Sequence, residues 1–226
     1  MIERTIYPVE TVGAGLESLT MVRHGQSVAN AAPFTGADEF LTGTSDADVP
    51  LTELGRQQAA AAGRRLATVE PRFDLVLCSP YVRTRETARI ALEFVTAPAA
   101  RFDERLRDRE TGILFGLTRA GIAHRYPEQH RELERLGGFY HRPPGGESWP
   151  DVALRLRAVL RDMRGHVLVF THDIVIVLTR YLFGELEIAE LSAQTTAQVR
   201  NASLTRWERR EGGPLLTVYN DTAHLD

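Results

Sequence analysis

Apolar residues along the chain gather in short runs separated by helix-period stretches, and this order predicts alternating strands and helices. Leu16 to Val22 reads as a buried strand running into Arg23-His24-Gly25. FDLVLCS (73–79) reads as a second strand, RFDERLRD (101–108) as a third and HVLVFTH (166–172) as a fourth. Between them, Thr52 suits the N-cap of a helix over 53–67. Residues 81–96 read as a helix entered through Ser79-Pro80, and 149–164 as another, with Pro150 tolerated in its first turn. The run IVIVLTRYLF (174–183) reads as a buried helix. ASLTRWERR and PLLTVYN, separated by Gly-Gly, predict a terminal hairpin. Two stretches follow neither period. Residues 31–50 are rich in Gly, Asp, Thr and Pro, and 111–148 break into short helical pieces and Gly/Pro turns. Loops of such length are usually functional or disordered.

Strands alternating with helices imply an α/β fold with helices on both faces of the sheet. Ligands then bind at the carboxyl ends of the strands. Three strands end in suitable polar residues there: Arg23-His24, Ser79 with the nearby Arg83, and His172.

Composition removes several alternatives. All 27 basic residues are arginine. Without lysine there is no P-loop and no Schiff-base chemistry. A single cysteine, Cys78, excludes intrachain disulfides and cysteine-rich zinc sites, and it reads as a core thiol. The net charge of −3 gives no general attraction to nucleic acid or anionic membrane. No stretch approaches the roughly 20 apolar residues of a membrane span, and the opening residues lack a secretory apolar core. The expected compartment is the cytoplasm.

The string RHGQSVAN (23–30) carries the strongest chemical signal. A histidine at a strand end, followed by glycine, can present its imidazole to an open site. Arg23 supplies a planar donor fork that suits phosphate oxygens. A helix starting after Gly25 would add its N-terminal amides. A surface Arg-His pair in a turn accounts for these letters equally well.

The string resembles the RHG motif of the histidine phosphatase superfamily, the phosphoglycerate mutase-like proteins. The resemblance continues in order through PLTELGRQQA (50–59), SPYVRTRETA (79–88), LRDRETGILFG (106–116), PPGGES (143–148), THDIVIV (171–177) and YNDTAHL (219–225). It implies a three-layer α/β/α sandwich with a mostly parallel central sheet. It also implies one domain over 1–226, with a substrate-covering insertion at about 111–148. His24 would be the nucleophile, giving a phosphohistidine that water then hydrolyses. Arg23, Asn30, Arg83 and His172 match the phosphate-binding positions, and no metal or other cofactor is needed. Arg85 and Arg89 suit solvated positions on the helix that carries Arg83, and a histidine such as His172 can also be a satisfied core residue. His124, His130, His141 and His166 match no motif.

The leaving oxygen needs a proton, and counting back from Gly112 gives Asp108 as the acid. Asp173, which follows His172, ranks second. Glu110 ranks third, because in a strand it would share a face with Asp108; a salt bridge to a neighbouring arginine is its other reading. The implied activity is metal-independent phosphomonoester hydrolysis, of broad small-molecule specificity. The alternative is phosphoglycerate mutase-type phosphoryl transfer. The chain stops just after NDTAHL without the basic tail of the cofactor-dependent mutases, which favours the phosphatase. A further alternative is an inactive binding or regulatory module, against which the retained Arg23, His24, Arg83 and His172 argue. A His/Asp metal hydrolase is disfavoured. The expected partner is a small phosphorylated substrate, with no nucleic acid and no membrane. Specificity is expected in 31–50 and 111–148. In the latter, Arg119, His124, Arg125, Tyr126, Phe139, Tyr140, His141 and Arg142 could read an anionic or sugar-like leaving group, or Phe139 and Tyr140 could simply pack the segment onto the core.

Overall fold

A computed structural model describes residues 13–32, 38–39, 44–193 and 199–225. Among the described residues six strands form one sheet: β1 (Leu16–Arg23), β2 (Leu75–Cys78), β3 (Arg101–Phe102), β4 (Gly165–Thr171), β5 (Leu204–Arg210) and β6 (Gly213–Asp221). Their spatial order is β3-β2-β4-β1-β5-β6. The first four run parallel, and β5 and β6 form the expected antiparallel hairpin against β1. The helices are α1 (Val28–Ala31), α2 (Glu53–Leu66), α3 (Val82–Ala91), α4 (Arg119–Arg125), α5 (Pro127–Tyr140), α6 (Trp149–Asp162), α7 (Asp173–Leu182) and α8 (Ile188–Ala193). No helix among the described residues is long and apolar enough to cross a membrane.

Strand alternation builds two cores, one on each face of the sheet. Val167 and Val169 of β4 join Leu19 and Met21 of β1 against α6 and α7, through Val152, Leu156, Ile176 and Leu178. Leu168 and Phe170 face the other way with Val22, Val76 and Cys78, and they meet Ala62 and Leu66 of α2 and Ala88 and Ala91 of α3. The result is a three-layer α/β/α sandwich. Helix α2 starts where expected, with the Thr52 side chain accepting from the Gly55 amide. Ser148 and Asp151 form a capping box at α6.

The third strand is shorter than its pattern predicts. Only Arg101 and Phe102 pair with β2. The Asp103 carboxylate then accepts from the Arg105 amide and turns the chain into a 3-10 turn, Glu104–Leu106. Beyond it, the guanidinium of Arg155 takes the place of a neighbouring strand. It donates to the carbonyls of Arg105 and Arg107 at 2.8 Å and of Asp108 at 2.9 Å. Asp108 and Glu110 therefore do not share a strand face. Helix α3 ends at Ala91, with turns rather than helix carrying the chain towards 96.

The loop after β1 rests directly on the start of α2. A Cβ on Gly25 would stand 2.3 Å from the Gly55 carbonyl oxygen, and one on Gly55 would stand 2.1 Å from that of Gln26. Both neighbours are backbone, so neither can yield cheaply. Gly55→Ala is expected to destabilise the fold by about 1–3 kcal/mol, as overpacking does. The urea midpoint reports this, and an unchanged midpoint would contradict the close approach.

Candidate active site

The order β2-β4-β1 sets three strand ends side by side, and each expected polar group leaves from one of them. The His24 amide donates to the Thr171 carbonyl at 2.9 Å, and the Ser79 amide to that of Phe170 at 3.0 Å. The His24 carbonyl accepts from the Ala202 amide and from the Asn201 side chain, both at 3.1 Å. Residues 200–202 are held in turn by the closing motif. The Arg200 amide donates to Asn220 Oδ1 at 2.7 Å, and His224 Nε2 donates to the Ala202 carbonyl at 3.0 Å.

The motif segments surround the loop that follows His24. The Gly25 amide donates to Thr87 Oγ1, and the Gln26 amide to Gln58 Oε1. Ser27 caps α1, and Asn30 Oδ1 accepts from the Ser27 amide and from Asn201 Nδ2. The Val28 amide donates to the Pro50 carbonyl, and that of Asn30 to Ser27 Oγ. The amides of residues 25–28 and 30 are thus already engaged. The helix start serves as framework, in contrast to the expected row of anion donors.

His24 is buried, and its Nδ1–H donates to the Gly25 carbonyl at 2.8 Å. A carbonyl can only accept, so the proton is fixed on Nδ1 and the Nε2 lone pair is left bare. Burial lowers the imidazole pKa well below its ordinary value, and the charges of Arg83 and Arg23 lower it further. The ring is neutral near neutrality, as a nucleophile requires.

Arg23 and Arg83 flank it, both buried. Arg23 Nη2 lies 3.4 Å from Asp173 Oδ2, and Arg23 Nη1 donates to the Val199 carbonyl. Arg83 holds two carboxylates, Asp46 through Nη1 and Asp108 through Nη2, each at 3.0 Å. His172 is fully buried beside His24, with ring centroids 5.2 Å apart. Its Nε2 meets Ser79 Oγ at 2.8 Å, and its Nδ1 lies 3.2 Å from Asp108 Oδ2 without the alignment of a full hydrogen bond.

The two carboxyls on Arg83 titrate in opposite directions. Burial works against the charge of Asp108, yet His172 and Arg83 outweigh it and hold this carboxyl well below the usual carboxylate range. Burial pushes Asp46 up to about 6 against the pull of Arg83, and the carboxylates of Asp108 and Glu110 push the same way. Asp46 lies within the irregular stretch 31–50 and was not among the residues singled out by sequence. Only the fold brings it onto Arg83, although its place just before PLT is a usable signal.

Arg23, His24, Asn30, Arg83 and Asp108 line one cavity of about 500 Å³, together with Asp46, Asp173, the unforeseen Arg109 and, from the candidates in 111–148, His141. His172 stands behind His24 and Asp108. Asp173 pairs with Arg23 and accepts from the Ile174 amide at the start of α7. Glu110 turns its carboxylate onto the Gly112 amide at 3.0 Å, in place of an ion pair with a neighbouring arginine. Cys78 is a core thiol that burial pushes up to about 12.

The cationic residues of 111–148 do not form the expected reading surface. Arg119 pairs with Glu134, His124 with Asp38, Arg125 with Glu39 and Arg142 with Asp151, all outside the cavity. Phe139 packs on Trp149 and Tyr181, fixing the segment to the core.

The profile of the histidine phosphatase superfamily (branch 1) matches residues 19–222, nearly the whole of this architecture. The chain belongs to that superfamily. It is 39% identical over 140 residues to 2,3-bisphosphoglycerate-dependent phosphoglycerate mutase 2 of Gloeobacter violaceus, covering 61% of this chain and 58% of that one. It is 37% identical over 163 residues to the 2,3-bisphosphoglycerate-dependent phosphoglycerate mutase of Methylobacterium sp. (strain 4-46), covering 68% and 74%. Among solved structures, a mycobacterial glucosyl-3-phosphoglycerate phosphatase in complex with VO3 matches with a TM-score of 0.72 and 30% identity, over 91% of this chain and 100% of that one.

Within this superfamily fold, Glu147 and Arg155 explain how the acid-bearing segment is held. Arg155 donates to both oxygens of the Glu147 carboxylate, at 2.9 and 3.0 Å, and Glu147 also accepts from the Glu110 amide. Removing Arg155 leaves the Glu147 carboxylate with Arg107 alone as its cation, at 3.2 Å, and strands three carbonyls. Arg155→Met is expected to cost about 3–5 kcal/mol, read from chemical denaturation.

Proposed function

We propose that this superfamily member is a metal-independent phosphomonoesterase of small-molecule substrates, working through phosphohistidine on His24. The observation that carries this reading is the bare Nε2 of a neutral, buried His24 set between two buried arginines at a cavity wall. The phosphoryl group docks on Arg23 and Arg83, with Asn30 at its edge and His172 behind His24 and Asp108. His24 Nε2 attacks phosphorus, the P–N bond forms and the ester P–O bond breaks. Asp108 gives the leaving oxygen its proton. As a carboxylate it then takes a proton from water, whose oxygen attacks phosphorus and breaks the P–N bond. Inorganic phosphate leaves and His24 is restored.

Asp108 is ionised in the free protein, so the proton must arrive with the substrate. A phosphate docking on Arg83 adds negative charge beside two carboxyls that already share that guanidinium, and this raises their proton affinity. The monoanionic ester supplies the proton. The segment 111–148 covers the bound ester, consistent with its share of the cavity lining.

Charge balance favours hydrolysis over the reaction for which two of the similar proteins, the phosphoglycerate mutases, are named. Arg23, Arg83 and Arg109 line the cavity with Asp46, Asp108 and Asp173, three cations against three acids. A mutase must hold a second anionic group, for which this balance leaves no surplus.

His24→Ala should abolish the acid-labile phosphoenzyme trapped from an aryl phosphate in EDTA. Asp108→Asn should lower kcat on alkyl esters by about 10²–10⁴-fold and let phosphoenzyme accumulate from the aryl ester. Labelling that persists without His24 would remove the reading. The pH dependence provides a second check. Below about pH 6 Asp46 is neutral. Above it, the new anion beside Arg83 opposes phosphate, so kcat/KM should decline as pH rises. Asp46→Asn should flatten that decline when measured with the same ester, and an identical profile in the variant would assign the limb to another group.

A further inference from the structure

The part of the cavity that would receive the leaving group is apolar. Leu114, Phe115, Leu117, Ile122 and Leu133 line it from 111–148, and Val177 lines it from α7. Several of these side chains are only half-buried, although a leucine or isoleucine on an amphipathic helix normally turns into a core. Here they line the cavity instead. Apolar surface in a concavity is most stable when an apolar group covers it.

Polar recognition is correspondingly sparse. Beyond the phosphate-end pair, the one guanidinium that lines the cavity is Arg109, among the described residues. It is tied sideways, with Nε on the Glu147 carbonyl at 2.6 Å and Nη2 on that of His141 at 2.9 Å. His141 also lines the cavity, but its Nε2 is engaged with Gln129 at 3.2 Å, and burial lowers its pKa. Arg119, Arg125, Arg135 and Arg142 pair with carboxylates outside the cavity. The internal segments outside the described residues, 33–37, 40–43 and 194–198, contain no charged residue in their sequence. A second phosphate, a glyceric carboxylate or a polyhydroxylated sugar would find few partners to replace the water it gives up.

We infer that the cavity formed by 111–148 and α7 selects phosphomonoesters of apolar alcohols, with an alkyl or aryl leaving group lying against Leu114, Leu117, Ile122, Leu133 and Val177. This rests on the phosphohistidine reading and narrows its substrate class. The volume of about 500 Å³ is in the range that encloses a sizeable ligand and far exceeds what a phosphoryl group needs.

The test is a homologous series of primary alkyl phosphates (ethyl, butyl and hexyl), with glycerol 3-phosphate and 3-phosphoglycerate as polar comparators. The leaving alcohols of the alkyl series differ little in acidity, so a trend in kcat/KM reports burial rather than chemistry. Each methylene that enters an apolar wall is worth up to about fourfold. Hexyl phosphate should exceed ethyl phosphate by tenfold or more, and butyl phosphate should exceed both polar comparators. Leu133→Asp should shrink the hexyl-to-ethyl ratio at least tenfold, and the milder Leu133→Ala should shrink it in the same direction. Phosphoenzyme trapping from an aryl phosphate runs alongside. Labelling with a flat or falling chain-length trend, or with a polar comparator preferred, overturns the apolar assignment and leaves the phosphohistidine reading intact. No labelling and no turnover with any ester overturns both.

Discussion

The hydrogen bond from the His24 amide to the Thr171 carbonyl joins the ends of β1 and β4, and the rest of the site is arranged around it. It continues the parallel ladder by one residue beyond the strand, so His24 leaves the sheet at a fixed angle. The carbonyl of the same residue is held from the opposite side by Asn201 and Ala202. A backbone fixed on both sides leaves the imidazole little freedom, and the bond to the Gly25 carbonyl removes the choice of tautomer. Two cores, one on each face of the sheet, bear the cost of keeping these strand ends in register.

Several dispersed motifs then acquire one physical purpose. Thr87 and Gln58, from two helices, hold consecutive amides of the loop after His24. Gly25 and Gly55 let that loop lie on α2 at backbone contact. Asn220 and His224 hold the 200–202 turn that in turn holds His24. None of these four side chains needs to touch substrate. They surround His24, the proposed nucleophile, because a loop with engaged amides cannot drift, and positional error at a nucleophile is costly.

The sandwich, its sheet and the grouping of Arg23, His24, Arg83 and His172 were legible because they follow from local pattern. Arg23, His24 and His172 sit at the ends of apolar runs, Arg83 lies in the first turn of the helix after one, and topology does the rest. The stretch from 103 to 110 was not legible. Its apolar and polar spacing fits a strand, but the hydrogen bonds that would make it one are supplied by Arg155, about 50 residues downstream. Asp46 was missed for a similar reason. Its raised proton affinity comes from burial and from Asp108 and Glu110, which sequence separates widely. The cationic residues of 111–148 misled in the opposite sense. Their composition suggested anion recognition, whereas Glu134, Asp38, Glu39 and Asp151 neutralise them at the surface.

Arg83 shows how a single guanidinium can link binding to proton transfer. In the free protein its two terminal nitrogens face Asp46 and Asp108. A phosphoryl group that arrives there competes with both carboxyls for one positive charge. Three negative groups cannot share it without one of them taking up a proton, because the surroundings are too dry to screen the repulsion. On the proposed mechanism, phosphate binding and protonation of Asp108 are then one linked event, the carboxyl being charged in the free protein and neutral when a leaving group needs its proton. The shorter reach of Asp108, compared with a glutamate, fits this arrangement, since it keeps the carboxyl within 3.0 Å of Arg83 and 3.2 Å of His172. The carboxyl's length, its partners and its proton all serve the same step.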